Sequence, residues 1–237
     1  GDLIAAVVTE AVPANMGVIV PPAGFNKGLR EICDRYGAKL IVDEVLTGFR
    51  VGPTGYWGAA GRDEGWAPDL LTYGKIVGGG LPMSAVAGGA ALMDLLAPAG
   101  PVYQAGTLSG NPAAAAAGLA TLELASADVY SHLDAVSVQL RGLITDALSE
   151  AGVPHRINNW GNLFSVFFTG DQVTDYESAK KQDTAAFGRF FHTLLDEGVW
   201  LAPSSFEAWF VSDALGDREL EVIAAALPKA AHAAARG

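Results

Sequence analysis

The sequence is poor in cysteine and in positive charge, and it contains no long apolar run. Its single cysteine, Cys33, excludes an internal disulfide. This residue lies on the apolar stripe of a helix predicted over residues 25–36, so we expect a buried thiol. No stretch reaches the ~20 apolar residues of a membrane-spanning helix. The formal net charge of −11 disfavours nucleic acid and anionic membranes as partners, and we expect a cytoplasmic protein that binds neither.

Signatures of two common kinds of site are also missing. The four histidines are scattered without metal-ligand spacing, so no metal site is predicted; they are His132, His155, His192 and His232. The G-x-S-x-G motif of many serine hydrolases does not occur. With 50% hydrophobic and 17% charged residues, the composition is that of an ordinary globular protein.

Strands and helices alternate in the first half of the chain. We predict strands at residues 4–8, 40–45, 69–73 and 84–88, and helices at 25–36, 90–96 and 113–125. Strand, helix and strand in this order form a βαβ unit, which implies a mostly parallel sheet with helices on both faces. Two stretches rich in glycine or small residues, 48–65 and 98–112, are predicted as irregular loops.

The pattern changes near residue 126. Beyond it we predict helices at 129–151, 183–197 and 217–235, and strands at 155–157 and 163–168. This mixture indicates a smaller α+β domain. The sequence therefore predicts two domains, residues 1–127 and 128–237.

The stretch from residue 40 to 75 contains the strongest chemical signal. One apolar strand ends at Asp43, and the next is followed by Lys75 and three glycines at 78–80. Ligands of open α/β sheets bind outside the carboxyl ends of the strands, so an acid and an amine are offered to one crevice. A pyridoxal phosphate enzyme needs this pair, a lysine that bonds to the cofactor and an aspartate that keeps the ring nitrogen protonated. Position alone equally permits a structural interpretation, in which Asp43 caps a loop and Lys75 is a solvated surface residue.

Several segments together resemble one family. They read DEVLTGFR (43–50), GKIVGGGLP (74–82), YQAGTLSGNP (103–112), FFH (190–192) and LAPSSFEA (201–208). They resemble the glutamate-1-semialdehyde 2,1-aminomutases, a family of the class III aminotransferase group with the fold type I architecture. The runs at 106–111 and 203–208 are the specific ones, whereas the motifs at Asp43 and Lys75 are typical of the wider transaminase group.

The resemblance implies both a fold and a reaction. The fold is part of the large domain of a fold type I pyridoxal phosphate enzyme, followed by a smaller α+β C-terminal domain. The reaction converts glutamate-1-semialdehyde, (S)-4-amino-5-oxopentanoate, to the tetrapyrrole precursor 5-aminolevulinate in a homodimer. Members of the family are longer and supply upstream a phosphate-binding turn and an aromatic ring stacked on the cofactor. We therefore expect this sequence to be the C-terminal half of such an enzyme.

Four residues take a role at the cofactor ring by this resemblance. Lys75 matches the lysine that bonds to pyridoxal 5'-phosphate, and Asp43 the acid paired with the pyridine nitrogen. Val45 falls where an apolar side chain packs on one face of the ring. Asn15 falls where the family places a polar side chain near the other ring substituents.

Three further residues take roles at the rim of the implied site. Gly106 and Thr107 match the segment that reaches the cofactor phosphate of the neighbouring subunit, and Glu207 matches an active-site carboxylate. Two departures from the family pattern are present. Pro13 is displaced from its usual place directly after a glutamate, and Trp209 stands where a small residue is usual.

Two other functions are compatible with the residues. One is a two-substrate class III transaminase acting on an amine or amino acid, and the other is a non-catalytic binding module. A transaminase for α-amino acids binds a carboxylate beside the reacting carbon, a task suited to arginine. Residues 203–211 contain neither arginine nor lysine and include Glu207, which favours the aminomutase. A binding module needs neither Lys75 nor Asp43, so their presence disfavours it.

Overall fold

The computed structural model describes residues 3–236 and divides them into two compact units. Unit 1 consists of the described residues up to Ala11 together with Pro21–Ser126. Unit 2 consists of Val12–Val20 and the described residues from Ala127 onward. The segment 12–20 thus belongs to a different unit from its neighbours in sequence, and no feature of the sequence pattern indicated this.

Unit 1 contains a four-stranded sheet in the order β1-β2-β3-β4. Its strands are β1 (Ala6–Glu10), β2 (Lys39–Asp43), β3 (Leu70–Tyr73) and β4 (Ala85–Gly88), and its helices are α1 (Phe25–Tyr36), α2 (Ala90–Met93) and α3 (Pro112–Leu124). The pairs β1–β2 and β2–β3 are parallel, while β4 runs antiparallel to β3. The predicted α/β class with a mostly parallel sheet is confirmed. Cys33 on α1 is buried, as expected.

The register of the parallel strands brings their carboxyl ends to one edge of the sheet. Glu10 is paired with Asp43, and Asp43 with Thr72. Burial alternates along β2, where Leu40 and Val42 are fully buried and the other three residues are not. This alternation is the period-two pattern of a strand, and it leaves the last residue, Asp43, only half-buried at the edge.

An ion-pair network fixes the opposite end of these strands. The carboxylate of Asp69 accepts hydrogen bonds from Arg30 Nη1 (2.5 Å), from Lys39 Nζ (3.2 Å) and from the Leu40 N–H (2.8 Å). Burial by itself raises the pKa of the Asp69 carboxyl, but these donors outweigh burial and lower the pKa overall. Since Arg30 lies on α1, the network joins this helix to the start of β2 and β3.

A buried carboxylate organises the loop that follows β2. Glu44 is fully buried, and its Oε2 accepts hydrogen bonds from Thr47 Oγ1 (2.6 Å) and from the Tyr56 N–H (2.8 Å). Its Oε1 accepts from the Trp57 N–H (2.8 Å). Gly55 has a φ of +61°, and a Cβ on it would lie 2.3 Å from Glu44 Oε2. Only glycine therefore permits the loop to close on this carboxylate.

The contact of Glu44 with this loop also explains why one prediction was wrong. Residues 48–65 were predicted to be irregular, but a five-residue π-helical turn, Trp57–Gly61, lies within them. The first N–H groups of a helix have no partner within the helix, and an anion satisfies and stabilises them. Glu44 supplies that anion from 13 residues away, at the Trp57 N–H. A glycine-rich composition does not reveal a partner so distant in sequence.

Unit 2 contains a three-stranded antiparallel sheet in the order β5-β6-β7. Its strands are β5 (Arg156–Trp160), β6 (Leu163–Phe167) and β7 (Trp209–Phe210), and its helices are α4 (Ala127–Glu150), α5 (Tyr176–Ala179), α6 (Thr184–Asp196) and α7 (Asp217–Ala234). Every residue of β6 is buried, and side chains from α4, α6 and α7 complete the core around it. The two shortest elements, α5 and β7, were not predicted, because each is too short to show a period.

The structure explains one of the two departures noted in the sequence. Trp209 is buried in the core of unit 2, and its ring centroid lies 5.5 Å from that of Phe164. The indole is therefore a packing residue. Pro13 accepts a hydrogen bond from the Ile19 N–H at 2.9 Å, which closes the segment 12–20 on itself. Within residues 3–236, no helix is both long and apolar enough to cross a bilayer.

Replacing the buried carboxylate should loosen the loop after β2. In Glu44→Gln one acceptor oxygen becomes an NH2 group, which would face a backbone N–H in either orientation of the amide. We expect a loss of about 2 kcal/mol in the free energy of unfolding, measured by urea titration of the protein that carries this chain. Glu64→Gln is a matched control, because its amide oxygen can still accept from the Trp66 indole N–H that Glu64 now binds. Equal losses in the two variants would contradict this role of Glu44.

Candidate functional site

The loop after β2 lies against the end of β3, where Lys75 follows. The Glu44 N–H donates to the Thr72 carbonyl oxygen (2.9 Å), so pairing continues one residue past β2. Val45 then contacts Gly74, since a Cβ on this glycine would lie 3.3 Å from Val45 Cγ1. The structure thus brings three predicted site residues, Asp43, Val45 and Lys75, to one edge of the unit 1 sheet.

Asp43 ends β2 with a defined orientation. Its Oδ1 accepts a hydrogen bond from the Val45 N–H at 2.8 Å, and the side chain is half-buried. This bond is the one expected if Asp43 only caps the loop that follows β2. It uses one of the two carboxylate oxygens. The cap therefore accounts for the orientation of Asp43 without excluding a second partner.

Lys75 has a strained backbone at an exposed position. Its φ is +49°, in the left-handed region that residues other than glycine seldom occupy, at a cost of about 1–3 kcal/mol. It opens a short 3-10 turn, Lys75–Gly78, and α3 packs closely against this turn. A Cβ on Gly118 of α3 would lie 2.2 Å from the Val77 carbonyl oxygen. Such close packing holds the conformation at Lys75 and leaves its amine at the surface.

Two aromatic rings lie beside this edge. Tyr73, the last residue of β3, has its ring centroid 5.3 Å from that of Phe49. A Cβ on Gly48 would lie 2.5 Å from Tyr73 Cδ1, so the loop backbone is in contact with the ring. Burial, together with the charge of Glu44, raises the pKa of the Tyr73 hydroxyl. The phenol therefore stays neutral at neutral pH and contributes no charge to the site.

Neither Glu44 nor Tyr73 was predicted from the sequence to have a role at this edge. The signal for Glu44 was present, since an acidic residue inside a buried apolar run requires partners for its charge. Its partners, however, include the N–H groups of Tyr56 and Trp57, and backbone groups have no signature in a sequence.

Gly106 and Thr107 lie in another part of unit 1. Both are exposed in the loop between α2 and α3, where the Ser109 N–H donates to the Gly106 carbonyl oxygen (2.9 Å). Asn111 ends this loop and caps α3 through its side-chain oxygen. Gly106 also lines a cavity of about 790 Å³, together with Ser84, Gln104, Ser109 and Asn111 among others. The loop is thus exposed, and it leads into the helix packed on the Lys75 turn.

Asn15 and Glu207 belong to unit 2, and both side chains are exposed. Asn15 forms an isolated bridge with Gly17 in the segment 12–20. Glu207 lies in the turn before β7, where its N–H donates to the Ser204 carbonyl oxygen at 3.2 Å. The other five predicted site residues are all in unit 1.

The histidines form no cluster. Three of them contact backbone carbonyl oxygens: His132 at Leu215, His155 at Val153 and His232 at Pro228. Over the described range 3–236, no group of three histidine, cysteine or acidic side chains is arranged to hold a metal ion.

Comparison with known proteins places this geometry in a family. The sequence model of the class III aminotransferases matches residues 1–227. Over all 237 residues the chain is 65% identical to a protein of Propionibacterium freudenreichii subsp. freudenreichii named glutamate-1-semialdehyde 2,1-aminomutase. It covers 54% of that protein, so the chain spans about half the length of this curated relative.

Two solved structures have the same fold. An omega-transaminase from Sphaerobacter thermophilus matches with a TM-score of 0.87 and 31% identity, covering 98% of this chain and 52% of that one. A glutamate-1-semialdehyde-aminomutase from Pseudomonas aeruginosa PAO1, in complex with PMP, matches with a TM-score of 0.82 and 27% identity, covering 95% and 51%.

These matches agree with the observed geometry. The motifs at Asp43 and Lys75, which are typical of the wider transaminase group, lie at one edge of the mostly parallel sheet, and the family model covers nearly the whole chain. The chain therefore belongs to the class III aminotransferase family.

Proposed function

We propose that the full-length protein containing this chain is a pyridoxal phosphate-dependent aminomutase that converts (S)-4-amino-5-oxopentanoate to 5-aminolevulinate. The observation that carries the catalytic part is the placement of Asp43 and Lys75 at one edge of a parallel sheet, with Val45 between them. The choice of reaction is supported by the 65% identity, over all 237 residues, with a relative of that name.

The residues at this edge fit the chemistry of pyridoxal 5'-phosphate. The cofactor aldehyde requires an accessible amine, and Lys75 is exposed in a fixed turn. The pyridine nitrogen requires an anion, and the Asp43 carboxylate has one oxygen held by the Val45 N–H. The flat ring requires an apolar contact, which the half-buried Val45 can supply. When bound, the cofactor would withdraw electrons from the substrate carbon that bears the amino group.

Each of these residues then has a defined task. Lys75 Nζ moves a proton between the two substrate carbons that exchange the amino group. Asp43 keeps a proton on the ring nitrogen through its negative charge. Val45 restricts the position of the ring. The amino group leaves one carbon and returns to its neighbour, so the reaction is an isomerisation without a second substrate.

Glu207 supports the choice of this substrate. The side chain is exposed in a segment, residues 203–211, that has no lysine or arginine. An anion there would disfavour an α-carboxylate through like-charge repulsion. The semialdehyde carries its carboxylate at the end of the molecule remote from the exchanged nitrogen, so it avoids that repulsion.

We further propose that the enzyme is a homodimer with shared sites. Gly106 and Thr107 lie in an exposed loop that offers a hydroxyl and backbone N–H groups, which together suit an anion. The proposed anion is the cofactor phosphate bound to the partner subunit. The small-molecule substrate then binds at a site to which both subunits contribute.

A two-substrate transaminase is the second candidate. The specific observation in its favour is that the omega-transaminase structure has a higher TM-score and identity than the aminomutase structure. The two functions differ in whether an amino donor and acceptor must be added.

The full-length enzyme should isomerise the semialdehyde with no added amino donor or acceptor. It should accept alanine or glutamate poorly, because Glu207 repels their α-carboxylates. Formation of 5-aminolevulinate and release of keto acid can be followed separately on one preparation. Glu207→Gln, which removes the charge and keeps the size, should increase keto-acid release from alanine. Efficient keto-acid release by the unmodified enzyme, with no aminolevulinate formed, would establish the transaminase instead.

Lys75 should carry the cofactor. Borohydride reduction of the full-length holoenzyme, followed by peptide mapping, is expected to place the pyridoxyl group on Lys75, because this exposed lysine follows β3 at the edge where β2 ends in Asp43. Lys27 and Lys39 serve as internal controls. A pyridoxyl group on either of these, with none on Lys75, would defeat the assignment. Lys75→Ala should abolish labelling while the circular dichroism spectrum of the folded enzyme is retained.

Subunit mixing tests the shared site. Thr107→Val should weaken cofactor retention, and Lys75→Ala should abolish turnover. If each site takes Lys75 from one subunit and Thr107 from the other, a heterodimer of these two variants has one site with both defects and one site with neither. Purified heterodimers should then retain about half the activity of the unmodified dimer at limiting cofactor. Loss of this activity despite verified subunit exchange would show that each subunit builds its own site.

A further inference from the structure

One buried hydroxyl joins two segments of unit 2 that are distant in sequence. Ser165 lies in the middle of β6 and is fully buried. Its Oγ accepts a hydrogen bond from the Val18 N–H (2.9 Å) and donates one to the Glu207 carbonyl oxygen (3.0 Å). A serine hydroxyl has one proton to donate and accepts through its lone pairs, so both functions are in use here.

The two segments that meet at this hydroxyl contain the proposed site residues of unit 2. Val18 is three residues after Asn15, and Glu207 is itself the proposed acid. The bond to Glu207 is made with its backbone and not with its carboxylate. Ser165 therefore fixes where the Glu207 side chain starts while leaving its charge exposed.

Packing around β6 reinforces this arrangement. Phe167, two residues after Ser165 on the same strand, belongs to a small apolar cluster that includes Ile19 from one segment and Phe206 from the other. Gly17 has a φ of +83°, and a Cβ on it would lie 2.4 Å from Phe167 Cζ. The segment 12–20 thus approaches β6 as closely as glycine permits.

We propose that Ser165 is a positioning residue for substrate selection. By holding the Asn15 segment and the Glu207 turn against one strand, it sets the place from which the Glu207 carboxylate acts on the substrate. The inference rests on the proposed function, because it gives Glu207 the task of rejecting α-carboxylates. Without the hydroxyl, the buried Val18 N–H loses its acceptor and the Glu207 turn loses its attachment to β6.

The test is a double-mutant cycle on the full-length holoenzyme. The quantity measured is the kcat/KM for the semialdehyde divided by the kcat/KM for alanine. Ser165→Ala should lower this ratio by about tenfold, as expected when a buried donor-acceptor pair is broken. Glu207→Gln should also lower it. Because Ser165 acts through Glu207, the double variant should lose no more than Glu207→Gln alone.

Ser137→Ala is the matched control. Ser137 is fully buried in α4 of the same unit, and within the described part of the chain its hydroxyl has no hydrogen-bond partner. The substitution therefore removes the same atom without releasing either segment. Hydrogen exchange should become faster in peptides covering residues 12–20 and 203–208 for Ser165→Ala and stay unchanged for Ser137→Ala. If Ser165→Ala does not fold, Ser165→Cys retains a weak donor and should lower the ratio by less.

Two results would overturn the inference. One is an additive effect of Ser165→Ala and Glu207→Gln, and the other is an equal fall of the ratio in Ser137→Ala. An unmodified enzyme that forms no aminolevulinate would defeat the proposed function and not this inference. In that case the same double-mutant cycle is measured with 4-aminobutanoate and alanine as competing amino donors. Loss of coupling between Ser165 and Glu207 in this second cycle would also overturn the inference.

Discussion

The edge of unit 1 at which Asp43 and Lys75 lie depends on the burial of the Glu44 carboxylate. A charge removed from water is tolerated only when its hydrogen-bonding capacity is satisfied, and here one hydroxyl and two backbone N–H groups satisfy it. Satisfying it folds the loop after β2 into one conformation. That conformation places Val45 on Gly74 and the backbone of Gly48 on the ring of Tyr73. Two neighbouring carboxylates thus have different tasks, since Glu44 shapes the loop and Asp43 remains half-exposed at the edge.

The strain at Lys75 follows from the same construction. A lysine in the left-handed region is stable only where the surrounding structure determines its backbone on both sides. Before Lys75 the chain is fixed by β3 and by the contact of Gly74 with Val45. After it, the close approach of Gly118 to Val77 fixes the turn. The backbone from which the Lys75 side chain leaves the protein is therefore fixed, while the side chain itself stays exposed.

Local patterns in the sequence predicted most of the elements. Helix α1 begins and ends at the predicted residues, because its apolar period and the glycine after it are local features. Asp43 and Lys75 could be predicted to lie at one edge of the sheet, because parallel strands align their carboxyl ends. The π-helical turn at Trp57 and the transfer of residues 12–20 to unit 2 could not be predicted. The first is held by Glu44 and the second in part by Ser165, and each of these side chains accepts a hydrogen bond from a backbone N–H distant in sequence.

The passage of residues 12–20 into unit 2 has a consequence for folding kinetics. The hydrogen bond between Val18 and Ser165 joins residues 147 positions apart, so unit 2 includes a contact of very long sequence range beside the local pairing of β5 with β6. The entropy of closing so long a loop must be offset before the bond forms, which favours docking of this segment after the helices have assembled. A partially folded state in which Phe167 is not yet covered by Gly17 would expose an aromatic surface.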